Sequence, residues 1–194
     1  MIQRLLHLAL LASAAFALPQ GNLPAIDALD RLPVIDECPE VTPGPGLPSL
    51  ESLNLTSADL CKPPEEFIAS LGEVEEPRLA KRYTPWCGGS SVVTLSNALS
   101  CYNYLYALGD TACVVPPSGS RFCTASGWLP AAWYGSSVDG TTTQSTCRDV
   151  ARGGAWVINN CGMRIPTSPP VDAVEEGANA AWDNGNLAVR IATY

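Results

Sequence analysis

Eight cysteines constrain the fold of this 194-residue chain more than any other feature. Two of them precede an isolated dibasic pair, Lys81-Arg82, and six follow it, so each part can close its own disulfides. We expect a Cys38–Cys61 bridge and three bridges among the later cysteines, whose pairing the sequence leaves open. A bridge between the two parts is the alternative. The later cysteines are Cys87, Cys101, Cys113, Cys123, Cys147 and Cys161.

Residues 1–17 are typical of a secretory signal peptide. Arg4 is followed by an apolar run over residues 5–16, and Ala15-Phe16-Ala17 has the small-residue pattern of a cleavage site. The run is too short to cross a membrane, and no later run is long enough either. We therefore expect a secreted protein with no membrane span, whose disulfides form in an oxidising compartment.

The composition changes abruptly after the dibasic pair. All five Trp and all six Tyr lie in residues 83–194, whereas residues 18–82 hold ten of the 17 Pro and twelve acids against five bases. A segment with so few large apolar side chains is expected to be flexible, with short helices possible at 57–60 and 64–71. Two adjacent cations on an exposed chain are what a dibasic processing protease requires. We interpret 18–82 as an acidic propeptide cleaved after Arg82, and 83–194 as the mature domain.

This layout, in which a signal peptide and an acidic propeptide ending in Leu79-Ala80-Lys81-Arg82 precede a Cys-rich domain, resembles the precursors of fungal secreted effectors and killer-toxin-like proteins. The resemblance implies maturation by a kexin-type processing protease and action on a host or competitor cell. The partner would be an extracellular protein or a glycan. The sequon at Asn54 lies in the propeptide, so a glycan there would leave with it.

The mature domain has the pattern of an α+β fold. A helix over 91–108 is indicated by apolar spacing, and a second helix is indicated from a cap at Thr146 to about residue 160. Strands are predicted at 111–115 and 120–126, the stretch 127–140 is expected to be irregular, and Asn184-Gly185 predicts a type I′ hairpin turn within 178–194. We expect two helices packed on one antiparallel sheet, stapled by disulfides, after a largely disordered propeptide.

The residue inventory excludes several kinds of chemistry. Residues 83–194 contain no His and no Lys, which removes His-based and Lys-based catalysis and His metal sites. The net charge of −8 disfavours nucleic-acid binding. We expect no cofactor, no metal and no enzymatic activity. Asp172, Glu175 and Glu176, which we place in one acidic loop, leave a carboxylate-based hydrolase as an alternative.

Aromatic side chains in the irregular stretch suggest a binding surface. Trp128, Trp133 and Tyr134 could stack on sugars or anchor a protein interface, although core packing is an equal alternative for Trp133 and Tyr134. The favoured function is an effector-like or toxin-like binding protein. A cell-wall or carbohydrate-binding module that uses these loop aromatics is the alternative.

Overall fold

A seven-stranded antiparallel sheet carries the fold, and the computed structural model describes it within residues 38–71 and 83–194. The helices beside it are α1 (Ser57–Leu60), α2 (Pro64–Ser70), α3 (Leu95–Ala107) and α4 (Cys147–Asn160). The strands are β1 (Val41–Pro43), β2 (Trp86–Thr94), β3 (Ala112–Val115), β4 (Ser120–Ala125), β5 (Ala131–Ser137), β6 (Thr143–Thr146), β7 (Gly162–Ile165), β8 (Val171–Ala181) and β9 (Asn184–Ala192). The order in the main sheet is β1-β4-β5-β9-β8-β2, with β7 also paired to β8, while β3 and β6 form a second sheet. The predicted α+β class is confirmed.

Helix α4 begins at the predicted cap. Thr146 Oγ1 accepts a hydrogen bond from the backbone N–H of Asp149 at 3.1 Å and donates to the Asp149 carboxylate at 2.7 Å. The cap satisfies one of the N–H groups that a helix start leaves without an intrahelical partner. Arg152 adds a salt bridge to the same carboxylate at 2.8 Å.

Helix α3 begins four residues later than predicted. Residues 91–94 belong to β2, which pairs with β8, and Thr94 caps α3 by accepting a hydrogen bond from the N–H of Asn97 at 3.3 Å. The β-branched run Val92-Val93-Thr94 suits an extended backbone. Pairing with a distant strand therefore overrides the helical apolar spacing.

Strand β5 occupies part of the stretch that we expected to be irregular. It pairs with β4 on one side and with β9 on the other. Ala131, Ala132 and Trp133 are all fully buried. Consecutive buried residues leave no period-two alternation in the sequence, which is why the pattern did not reveal this strand.

The C-terminal hairpin is present, but its turn lies two residues earlier than predicted. The chain reverses at Trp182-Asp183, and Asn184-Gly185 begins β9 without the positive φ angles of a type I′ turn. The Asn184 amide donates to Thr143 Oγ1 at 3.0 Å and to the Gln144 carbonyl at 2.8 Å. These contacts hold the start of β9 beside β6. The preference of Asn-Gly for type I′ turns considers only neighbouring residues, so it could not predict this position of the turn.

The eight cysteines all lie in the described residues and all are paired. The predicted Cys38–Cys61 bridge is present. Cys101–Cys123 ties α3 to β4, and Cys87–Cys161 ties β2 to the end of α4. Cys113–Cys147 ties β3 to the start of α4. The predicted division into two and six cysteines is therefore confirmed, and the alternative of a bridge between the two parts is wrong.

Residues 38–71, the N-terminal segment, are folded against residues 83–194. This corrects, for residues 38–71, the expectation of a largely disordered propeptide. Helices α1 and α2 lie where short helices were predicted, and Val41, Leu60 and Phe67 are 4%, 0% and 1% exposed. These buried side chains are few and widely spaced, so they have little effect on the average composition from which flexibility was predicted. The predicted signal peptide and the rest of 18–82 lie outside the described residues.

Helix α3 lies at the centre and is buried around most of its circumference. Its polar residues Asn97, Ser100 and Asn103 are buried together with its apolar ones. Such a helix needs neighbours on several sides. The sheet and α4 supply some of them, and the N-terminal segment supplies another through β1, α1 and α2.

Candidate functional site

A cleft of about 440 Å³ opens beside the N-terminal end of α3. Its walls come from the start of the N-terminal segment, from the first turn of α3 and from the loop after β4. The lining includes Pro39, Glu40, Ser96, Asn97, Gly127 and Trp128. Among the described lining residues Glu40 is the one charged group, so the cleft is polar and weakly acidic.

Hydrogen bonds from α3 and the end of β2 hold the backbone of the loop that carries Trp128. The buried Asn97 side chain donates hydrogen bonds to the carbonyls of Trp128 and Leu129 at 3.0 and 2.9 Å. The backbone N–H of Thr94 donates to the same Leu129 carbonyl at 3.0 Å. Gly127 and Leu129 have φ angles of 134° and 49°. A positive φ costs a non-glycine residue about 1 kcal/mol, so the surrounding hydrogen bonds must hold Leu129 in place.

Trp128 is the exposed aromatic of this site. It is 56% exposed on a loop whose backbone is already ordered. A large aromatic side chain beside a concave polar surface is the usual anchor of a ligand or partner. Because the loop is held before any ligand arrives, little conformational entropy remains to be lost on binding. The prediction of Trp128 as a binding residue is compatible with this geometry and stays a prediction.

The prediction of Trp133 as a binding residue is wrong. Its side chain is 0% exposed, on β5 in the core. The six-membered ring of its indole lies directly against Gly154 of α4. Pairing of β5 on both sides turns this side chain inwards, and no signal in the local sequence distinguishes it from Trp128.

Tyr134 lies elsewhere on the sheet and is half-buried. The Arg190 guanidinium lies 5.3 Å from the centre of its ring, and its hydroxyl donates to the Thr193 carbonyl at 3.4 Å. Trp156 and Trp182 are also partly buried. The proposed aromatic group is therefore not one surface, and Trp128 alone lies at the cleft.

The three acids that we placed in one loop lie on strand β8, which corrects that expectation. The Glu176 carboxylate accepts hydrogen bonds from the N–H groups of Ser90 and Ser91 at 3.1 and 3.2 Å, and it pairs with Arg190 at 3.3 Å. Asp172 pairs with Arg164 at 3.7 Å. Glu176 thus holds the irregular part of β2 against β8, which is a structural role.

Asp139 and Asp183 also have structural roles. Asp139 accepts hydrogen bonds from Ser137 and Thr141 in the turn after β5. These hydrogen bonds, above all those from Thr141, hold the pKa of the Asp139 carboxyl well below its usual value. Asp183 accepts a hydrogen bond from Ser145. Residues 38–71 and 83–194 contain no cluster of His, Cys, Asp or Glu suited to a metal ion.

Asn54 is exposed and has a φ of 52°, directly after a short 3-10 helix. Its position leaves the side-chain amide open to solvent, as a glycan acceptor requires. Thr56 of the sequon caps α1 in a capping box with Asp59. The predicted processing residues Lys81 and Arg82 lie outside the described residues.

Comparison with known proteins identifies the C-terminal part of the chain. A family model described as a domain of unknown function, DUF8794, matches residues 86–193, which is more than half of the chain. The chain belongs to the DUF8794 family. No curated protein and no solved structure matches it. The DUF8794 domain contributes Trp128 and Asn97 to the cleft, whereas Pro39 and Glu40 precede the matched range.

The four disulfides of this DUF8794 protein indicate an extracellular or otherwise oxidising compartment. Within the described ranges, every helix is too short or too polar to span a membrane. Sequence reasoning missed Asn97 and Glu40 as parts of the site. Asn97 follows the Thr94 cap by three residues, but its contact with the Trp128 loop depends on tertiary structure.

Proposed function

We propose that this protein is a secreted, proteolytically processed binding protein that acts on a host or competitor cell, as the fungal effectors and toxin-like proteins that it resembles do. The observation that carries the proposal is Trp128, an exposed indole on a fixed loop at the edge of a polar cleft. An exposed indole whose backbone is already ordered beside a concave surface can anchor a ligand or partner with little further loss of conformational entropy. The cleft is the surface through which the protein recognises its target.

Processing belongs to the same proposal. A kexin-type protease hydrolyses the Arg82–Tyr83 peptide bond after the signal peptide has directed the chain to the secretory pathway. What supports this step is the sequence, in which Lys81-Arg82 separates two stretches of different composition. A glycan on Asn54 would then belong to the N-terminal product.

Binding without catalysis is the activity that we propose. Residues 83–194 lack His and Lys, and Glu176 and Asp172 are engaged in structural ion pairs. A carboxylate hydrolase requires two acids facing one substrate at a set separation. The arrangement on β8 supports that chemistry poorly.

A carbohydrate target is the second candidate, and the composition of the cleft favours it. Sugars are bound by an aromatic face together with hydrogen bonds from uncharged polar groups. Trp128 supplies the ring, and the hydroxyl-bearing residues Ser96 and Ser126 also line the cleft. An extracellular protein could use the same anchor, so the test must contain both kinds of target.

The test compares Trp128→Ala with wild type on an array of cell-wall glycans and on intact cells. Truncation of a central Trp anchor costs about 2 kcal/mol or more, so we expect binding to weaken about 30-fold. The melting temperature should change by less than about 2 °C, because the side chain is largely in solvent. Trp86→Ala, a variant of an exposed Trp outside the cleft lining, is the matched control and should bind like wild type. Unchanged binding by Trp128→Ala would refute the assignment of the cleft.

A further inference from the structure

The N-terminal segment, residues 38–71, is built into the same hydrophobic core as residues 83–194. Leu60 and Phe67 are 0% and 1% exposed and belong to the main core cluster. Further leucines of the segment, Leu47, Leu50, Leu53 and Leu55, are partly buried against that cluster. Burial of this kind is the main source of stable association between chains.

The segment also extends the sheet. Strand β1 pairs antiparallel with β4 in the register Val41↔Ala125 to Pro43↔Cys123. The pairing continues on both sides, because Gly44 N–H donates to the Phe122 carbonyl at 2.8 Å and Ser126 N–H donates to the Glu40 carbonyl at 2.9 Å. A side chain at position 44 would overlap the backbone of β4, so the close approach requires glycine there.

Buried polar groups of α3 are matched to the segment backbone. The Asn103 amide, 0% exposed, donates to the carbonyls of Leu60 and Lys62 at 2.9 and 2.8 Å. The Tyr104 hydroxyl donates to the Pro48 carbonyl at 2.7 Å. Hydrogen bonds from buried side chains to main-chain carbonyls fix one orientation of the segment on α3.

Within the described residues, no covalent link other than the main chain joins the N-terminal segment to residues 83–194. Cys38–Cys61 closes the segment on itself, and the other six cysteines pair within 83–194. Hydrolysis of a peptide bond between residues 71 and 83 would therefore leave two chains that are held by packing and hydrogen bonds alone.

We propose that the N-terminal segment stays bound after processing, so that the mature protein is a non-covalent complex of two chains. This inference rests on the proposed cleavage after Arg82. The retained segment contributes Pro39 and Glu40 to the cleft that Trp128 also lines. The segment thus completes the proposed binding site and does not block it. Without the segment, residues 83–194 would lack one wall of the cleft.

The test cuts the folded full chain. Lys81→Ala and Arg82→Ala block natural processing, and a recognition site for a sequence-specific endoprotease is inserted before Tyr83. After digestion, the two chains should co-elute at 1:1 stoichiometry in size-exclusion chromatography at micromolar concentration. Elution of the segment apart from residues 83–194 overturns the inference.

Substitutions in the N-terminal segment test whether the segment is held by the interface described above or is retained nonspecifically after cleavage. Phe67→Ala in the cut protein should weaken association at least about 100-fold, as expected for removal of a buried aromatic side chain. Glu66→Ala, at an exposed neighbour on the same helix, is the matched control and should leave association unchanged. Equal retention of the Phe67→Ala and wild-type segments overturns the assigned interface. If Phe67→Ala does not fold, Gly44→Ala with Thr42→Ala as its exposed control tests the pairing of β1 with β4.

Failure of the proposed processing has a different signature. Denaturing mass spectrometry of the naturally secreted protein that finds one chain running through residues 81–83 refutes cleavage after Arg82. The engineered cut still decides whether the segment is held without a covalent link, so the two failures are distinguishable.

Discussion

Replacing Gly154 with Ala gives a prediction whose sign depends on tertiary packing. Helix α4 contains Gly153 and Gly154 in its interior, where each glycine costs about 1 kcal/mol relative to Ala. Helix propensity alone therefore predicts that Gly154→Ala stabilises the protein. The structure predicts the opposite, because an added methyl group at 154 would overlap the buried indole of Trp133.

The magnitude follows from these opposing terms. Overpacking of a core typically costs about 1–3 kcal/mol, which exceeds the propensity gain over most of that range. The added methyl group would lie far inside van der Waals contact with three ring atoms of Trp133, so we take the upper part of that range, about 2–3 kcal/mol. After the propensity gain is subtracted, we expect a net loss of about 1–2 kcal/mol, or about 2–8 °C in Tm for a protein of this size. The change in Tm is measured by circular dichroism of the oxidised protein during heating. In a Trp133→Phe background, whose shorter ring relieves the overlap, Gly154→Ala should cost less by at least about 0.5 kcal/mol. A rise in Tm for the single variant, or strict additivity of the two changes, would refute the packing argument.

Further predictions concern the polar contacts. Glu176→Gln should destabilise the protein by about 1–3 kcal/mol in chemical denaturation. The donors of Ser90 and Ser91 all bond to one oxygen of the Glu176 carboxylate, and the amide NH2 group that replaces the other oxygen would face the Arg190 guanidinium, with which it cannot pair. An equal loss for Glu175→Gln would contradict this role. Asp139 has a lowered pKa in the folded state, so its contribution to stability is present above the ordinary carboxyl pKa of 3.8 and is lost as the pH falls below it. Asp139→Asn should therefore show a smaller fall in Tm on acidification than wild type, and superimposable pH profiles would disprove the coupling.

Local sequence signals located the features whose causes are local. The Thr146-x-x-Asp149 cap fixes the start of α4 because its hydrogen bonds span three residues. The division of the cysteines around Lys81-Arg82 anticipated the Cys38–Cys61 bridge. The pairing of the other six could not be derived, since it follows from the packing of α3 and α4 on the sheet.

Features that depend on distant partners escaped the sequence analysis. Trp128 and Trp133 lie in the same stretch, but β5 is held between β4 and β9 and buries Trp133, whereas the loop before it exposes Trp128. The folding of residues 38–71 depends on α3, whose buried Asn103 amide donates a hydrogen bond to the Leu60 carbonyl. The amino-acid composition of residues 18–82 predicted flexibility, because composition carries no information about packing against a helix that lies elsewhere in the chain.

The most direct test of the account is the mass of the naturally secreted protein under native and denaturing conditions. We predict one native species that separates under denaturing conditions, without reduction, into a chain that ends at Arg82 and a chain that begins at Tyr83. On reduction the first chain should gain the hydrogens of one disulfide and the second those of three. A native species that contains residues 83–194 alone would contradict the claim that the N-terminal segment is part of the working protein.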